Sequence, residues 1–391
     1  MLRALIYRGY HLSTTVPLLR DFSLGLRRLY RRISGKPPLA VGADGLAAGG
    51  LPRFGDYAKS LERHALIERV RVLIARGDAA GAIAYLRGTA LDDHERAQIL
   101  RDLGSDFHRA GAVDRCIDCR RAAVVFTPKN WIAHLELLRT LYREGRQREA
   151  FDHAAGVDLS IEGVARHDFT AEEKVIYSLI SDVAIASPEL VATLVRATDY
   201  VLRERIPGAF VECGVFRGGS TMVTMMASLF RGSRDRAFFL YDTFTGFPWP
   251  DEIDVYHADG RPARDEWQEK QTADGKSGWL VSSLEQTRAN VESVGYPKEL
   301  THYVQGMVED TIPGEAPAQI AFLRLDTDFY VSTKHELEHL FPRLSPRGVL
   351  IIDDYGAFKG AQQAVDEYLR ENHLPYLLHR VDSNVRIVVK A

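Results

Sequence analysis

From residue 209 to the C-terminus, short apolar runs alternate with stretches long enough for a helix. The runs are Ala209–Cys213, Ala237–Tyr241, Leu300–Val304, Ile320–Leu325, Val349–Ile352, Tyr376–His379 and Val385–Val389. Strands that read as continuously apolar are covered on both faces, and helix-length spacers between them are the crossovers of a mostly parallel sheet. The last two runs lie close together and suit an antiparallel hairpin at one edge. An open sheet of this kind takes its ligands at the carboxyl ends of its strands. The residues that end each run are therefore the first place to look for chemistry.

The first run ends in E-C-G-V-F-R-G-G-S-T, Glu212 to Thr221. Gly214 permits a sharp turn, and Gly218 and Gly219 allow a ligand to approach backbone at a helix start. The second ends in Y-D-T-F-T-G-F-P, with Asp242 on the same edge. A carboxylate there can accept both hydroxyls of a ribose. Each feature alone fits a tight turn or a cap, but together they suit an adenosine-containing cofactor. The fourth run ends in L-R-L-D-T-D, giving Asp326 and Asp328, and the fifth in L-I-I-D-D, giving Asp353 and Asp354. One aspartate at a strand end is ordinarily a helix cap. Two pairs on successive strands would repel each other in one cleft, and a hard divalent cation with oxygen ligands relieves that repulsion.

Taken in order, F-V-E-C-G-V-F-R-G-G-S-T, L-Y-D-T-F-T-G-F-P, V-Q-G-M-V-E-D-T-I-P, L-R-L-D-T-D-F-Y-V-S-T and I-I-D-D-Y-G resemble the macrocin O-methyltransferase family (TylF and MycF type) over residues 207–391. The resemblance implies a doubly wound, seven-stranded, Rossmann-like class I methyltransferase sheet. It implies S-adenosylmethionine as methyl donor, bound by the turn containing Glu212, Gly214, Gly218, Gly219 and Ser220, by Asp242, and by Gly306 and Met307. It also implies magnesium, or another divalent cation, on Asp326, Asp353 and Asp354. A sugar hydroxyl would be the acceptor, beneath a lid formed by the connection from Thr243 to Ser282 with Trp249, Trp267 and Trp279. Within such a site Asp326 is the expected ligand and proton acceptor, and Asp328 the alternative base or an orienting residue.

The N-terminal half is different. L-I-A-R-G-D-A-A-G-A, F-H-R-A-G-A-V-D-R-C and L-Y-R-E-G-R-Q-R-E-A align on Gly77, Gly111 and Gly145 at intervals of 34 residues, the tetratricopeptide period. An all-α tetratricopeptide-like domain over 56–165 is expected, followed by the methyltransferase domain with its preceding helices over 166–391. Such repeats bind a peptide or a neighbouring subunit. Cys116 and Cys119 fall inside this helical region without the further ligands zinc needs, and read as small packing residues. Residues 37–55, rich in Gly, Pro and Ala, read as a linker. Residues 1–36 carry eight Lys and Arg against the single acid Asp21, with Leu18, Phe22, Leu26, Leu29 and Ile33 on one helical stripe. A basic amphipathic helix of this kind either lies on an anionic membrane surface or packs on protein.

Three cysteines fit a reducing compartment, and a cytoplasmic chain is expected, with peripheral contact to the inner membrane face through residues 1–36. A formal net charge of −3 makes no case for nucleic acid. A nicotinamide dehydrogenase would need G-x-G-x-x-G and has no use for Asp353–Asp354. Two other readings stay open: methylation of a catechol-like phenol, and a repeat scaffold carrying a non-catalytic methyltransferase-like domain.

Overall fold

A computed structural model describes residues 54–157, 168–273 and 275–391, with side chains from residue 62. The basic segment 1–36 and nearly all of the expected linker lie outside the described residues. The described residues fall into two compact units, divided between Pro128 and Lys129.

The described part of the first unit is four helices: α1 (Phe54–Ala75), α2 (Ala79–Arg87), α3 (Asp93–Arg109) and α4 (Val113–Phe126). Gly77 and Gly111 turn the chain between them at φ of 83° and 74°, a conformation that costs glycine little. Val70, Ile74, Leu86, Leu100, Leu103 and Phe126 form its core. Cys116 and Cys119 are fully buried on α4. The Cys119 thiol is pushed up to about 12 by burial and by its neighbour Cys116.

In the second unit, α5 (Trp131–Arg143) and α6 (Gln147–Ala155) flank Gly145, again at positive φ, and both pack on α7 (Ala171–Ile180). Arg139 donates to the Ser178 carbonyl oxygen at 2.9 Å and fixes α5 on α7. Helix α8 (Pro188–Arg203) opens on a Ser187 cap, with the Leu190 amide donating to Ser187 Oγ at 3.0 Å and Pro188 in the first turn.

The sheet has seven strands: β1 (Ala209–Cys213), β2 (Phe238–Asp242), β3 (Thr301–Gln305), β4 (Ile320–Leu325), β5 (Leu344–Ile352), β6 (His379–Arg380) and β7 (Arg386–Val389). Their order is β3-β2-β1-β4-β5-β7-β6. The first five are parallel, and β7 runs antiparallel to both β5 and β6. Side chains alternate across it. One face, with Val211, Leu323 and Leu350, is covered by α13 (Tyr330–Leu340) and α14 (Lys359–Glu371). Phe210, Phe238 and Phe322 stack on the other face, near Leu194 of α8 and Thr224 of α9 (Gly219–Phe230).

Two strands differ from expectation by more than one residue. β5 begins five residues early, because Arg347 takes φ 67° and absorbs a bulge against β4, so Pro346 and Gly348 do not stop it. β6 shrinks to two residues. The register is what positions the site. Cys213 pairs with Leu325 and Leu325 with Ile352, so Gly214, Asp326 and Asp353 stand side by side at the carboxyl edge. The Asp326 amide bonds the Cys213 carbonyl and the Asp353 amide that of Leu325, both at 2.9 Å.

Candidate active site

A β-carbon on Gly214 would lie 1.8 Å from the Asp326 carbonyl oxygen, so only glycine lets the turn after β1 lie against the end of β4. The turn continues through Phe216 at φ 50° and Gly218 at φ 86° into α9. It is held from β2. Asp242 Oδ2 accepts from the amides of Val215 and Phe216, each at 2.8 Å, and its Oδ1 from Phe244 at 2.7 Å. Burial raises the Asp242 carboxyl from its ordinary range, and these bonds pull the other way. Three of roughly four acceptor sites on a carboxylate are thereby in use. Its role in this structure is to shape the turn.

Packing also demands glycine at positions 218 and 219. Their β-carbons would meet Val291 Cγ2 at 2.4 Å and Ala184 Cβ at 2.3 Å. Gly219 and Ser220 line the cleft, whereas Gly218 does not. Gly306, at φ 147°, donates its amide to the Asp242 carbonyl at 3.0 Å and brings Met307 to the same cleft. Glu212 also lines the cleft, and accepts from the Thr221 hydroxyl and, at 2.7 Å, from Arg324 Nη1.

Arg324 is the residue that reading the sequence missed. Its side chain is 3% exposed at the centre of the carboxylates. Nη1 lies 2.6 Å from Asp326 Oδ2, and Nη2 3.1 Å from Asp353 Oδ1. Burial works against its charge, but Asp326, Asp353 and Glu212 outweigh burial and hold the guanidinium protonated. The only sequence signal was a cation inside the apolar run F-L-R-L.

One guanidinium does not neutralise this cluster. Asp326, Asp353 and Asp354 each offer an oxygen within 4.8 Å of the others. Burial first, then mutual repulsion, pushes the Asp326 and Asp354 carboxyls well above the usual range, with Arg324 opposing this at Asp326. Asp328, at φ 65°, is raised by burial and then by Asp326. Asp354 Oδ2 is buried without a hydrogen-bond partner. A buried acceptor left over among three convergent carboxylates is a poor end state for a protein alone and a good ligand set for a hard cation. The residues present therefore fit a divalent cation.

The connection from Thr243 to Ser282 forms one wall. Trp279 is buried, with Phe247 and Trp267 packed around it and the Trp267 indole donating to the Phe247 carbonyl at 3.0 Å. Trp249 stands outside, 49% exposed. The cleft bounded by this wall, the glycine turn and the acids has a volume of about 370 Å³, within the size range of small-molecule sites. Val183–Ile185, between α7 and α8, close its far side, a contribution that no sequence pattern announced.

A family model described as macrocin-O-methyltransferase (TylF) matches residues 179–388. The chain is 38% identical over 169 residues to 8-demethyl-8-(2,3-dimethoxy-alpha-L-rhamnosyl)-tetracenomycin-C 4'-O-methyltransferase of Streptomyces olivaceus, covering 43% of this chain and 60% of that protein. It is 32% identical over 180 residues to mycinamicin III 3''-O-methyltransferase of Micromonospora griseorubida, covering 46% and 67%. Of these relatives' own lengths the chain thus spans about three fifths and two thirds. The solved O-methyltransferase NovP superposes with a TM-score of 0.47 at 23% identity, covering 67% of this chain and 100% of that one.

Proposed function

Because this chain belongs to the macrocin O-methyltransferase (TylF) family, we propose that it transfers a methyl group from S-adenosylmethionine to a hydroxyl of a sugar-containing acceptor, with a divalent cation. The observation that carries the metal reading is the convergence of Asp326, Asp353 and Asp354 within 4.8 Å, with one Asp354 oxygen buried and unpartnered. Both relatives are named as O-methyltransferases, and the name of the first places a rhamnosyl group on its substrate, which supports a sugar-containing acceptor here.

The glycine turn, Asp242, Gly306 and Met307 would hold the methyl donor, and Asp326, Asp353 and Asp354 the cation. When bound, the donor supplies an electrophilic methyl on a sulfonium, and the cation supplies charge that eases loss of a hydroxyl proton. The chain's own work is positioning and exclusion of water. Asp242 presets the turn before any ligand arrives, which lowers the ordering cost of binding. Phe247, Trp279 and Phe329 make the wall apolar, which strengthens electrostatic interactions inside. Asp326 is the proton acceptor in this reading, and Asp328 the second candidate.

The helices around Gly77, Gly111 and Gly145 are, in the same reading, tetratricopeptide-like units used for assembly or substrate delivery, and residues 1–36 a peripheral membrane contact. The enzymatic reading is tested by incubating the full chain with isotopically labelled S-adenosylmethionine, magnesium and a panel of glycosylated acceptors and catechol-type phenols. Label in a sugar methoxyl group supports it. Label confined to catechol-type phenols overturns the sugar assignment.

A further inference from the structure

Helices α13 and α14 start directly behind the two acid pairs, at Tyr330 and Lys359, and each begins on a phenylalanine whose side chain caps nothing. A helix start leaves amide donors that need an acceptor. Asp254 supplies one from the connection between β2 and β3. Its Oδ1 accepts from the Tyr330 amide at 2.8 Å, and its Oδ2 from Asp251 at 2.9 Å. The same Oδ1 lies 2.0 Å from where a β-carbon on Gly360 would be, which accounts for a glycine of ordinary helical conformation in the first turn of α14. Asp254 is 1% exposed.

Neighbouring backbone reinforces the join. Lys359 donates to the Val255 carbonyl at 3.0 Å, and His257 to that of Ala357 at 2.9 Å, around an antiparallel bridge from Tyr256 to Phe358. Phe329 and Phe358, which follow the two acid pairs, meet ring to ring at 5.7 Å within the aromatic cluster of the wall. The segment 254–257 is thus bonded to both acid-bearing loops at once.

We infer that Asp254 is a positioning residue for the cation site: by tying the start of α13 to the start of α14 it sets the spacing of Asp326–Asp328 against Asp353–Asp354. The inference rests on the metal reading given above. It makes the wall of the cleft and the cation site one mechanical unit, so a change in the wall is felt first as a change in metal affinity.

Asp254→Ala and Asp254→Asn in the full chain test this. Manganese affinity is read by electron paramagnetic resonance, S-adenosylmethionine affinity by calorimetry, and amide exchange of the cation-free protein over residues 326–332 and 355–361 by mass spectrometry. Asp254→Ala should weaken manganese binding about tenfold or more, the scale of an outer-shell ligand support. Its donor affinity should stay within about twofold of wild type, and exchange in both segments should quicken. Asp254→Asn, which keeps one acceptor oxygen and the volume, should be intermediate, and it carries the test if the alanine variant does not fold. Wild-type manganese affinity and exchange in a folded variant overturn the inference. So does a parallel loss of manganese and donor affinity, because that is the mark of a general packing defect. A wild-type chain that binds no manganese is a separate result; it overturns the metal reading, and this inference falls with it.

Discussion

The two ends of the cleft are built on the same sheet edge but finished differently. At the β1–β2 end, Asp242 is nearly saturated by the amides of Val215, Phe216 and Phe244. At the β4–β5 end, Asp354 keeps a buried oxygen with no hydrogen-bond partner among the described residues, and Asp326, Asp353 and Asp354 crowd together around Arg324, which pairs with Asp326 and Asp353. The first end is a finished mould, complete before a ligand enters it. The second carries an electrostatic cost that a bound cation would remove. A carboxylate at a strand end can therefore be used up by the scaffold or left unsatisfied, and its hydrogen-bond partners tell which.

The largest expected effect tests the unsatisfied end. Asp353→Asn or Asp354→Asn keeps shape and removes charge, and should lower methyl transfer on the order of a thousandfold, the loss of several kcal/mol of metal-derived stabilisation. Asp326→Asn should be at least as damaging, since in the proposed mechanism it also removes the proton acceptor. Donor affinity, measured by calorimetry, should change little in all three. An equal loss of donor binding would mean that the two ends are not independent.

Arg324→Met asks how much the buried guanidinium contributes. It strands Glu212 and Asp326, and breaking a buried ion pair from one side costs about 3–5 kcal/mol. Thermal melting of the cation-free chain should fall sharply, and the rise in melting temperature on adding magnesium should exceed that of the wild type. Asp242→Ala probes the finished end. It should weaken donor binding by roughly 1.5–3 kcal/mol, the worth of hydrogen bonds to a charged group, and leave manganese affinity unchanged.

The smallest effect is one of pH. The folded-state carboxyls of Asp326, Asp328 and Asp354 lie above their ordinary values, chiefly through burial. The folded cation-free chain then binds more protons than the unfolded chain from about pH 4 upward, so its stability falls as pH rises through that window. A cation favours the charged carboxylates and reverses the trend. The magnesium-induced rise in melting temperature should therefore be larger at pH 8 than at pH 5.5.

These contrasts were only partly legible in the chain. Asp326, Asp328, Asp353 and Asp354 could be read because each ends an apolar run, and a parallel sheet brings such ends together. β1 and β4 could be bounded for the same reason. Arg324 was not legible, because its partner Glu212 lies 112 residues away and a cation inside a strand carries no local mark of being buried. Asp254 was hidden likewise: the helix it caps starts 76 residues later. Gly218 and Gly219 could be picked out as special, but not why, since Val291 and Ala184 reach them only in three dimensions. Local periodicity sets elements and their ends, whereas the identity of a charge's partner depends on how those elements pack.

The claim that the β4–β5 end is a cation site is tested most directly by methyl transfer in excess chelator, with wild type and Asp353→Asn assayed side by side on an acceptor identified from the glycosylated panel. The account predicts no turnover of wild type in chelator, recovery on adding magnesium, and no comparable recovery for the variant. Full wild-type turnover in chelator, with Asp353→Asn unaffected, would contradict it and leave the acids a structural cluster held by Arg324.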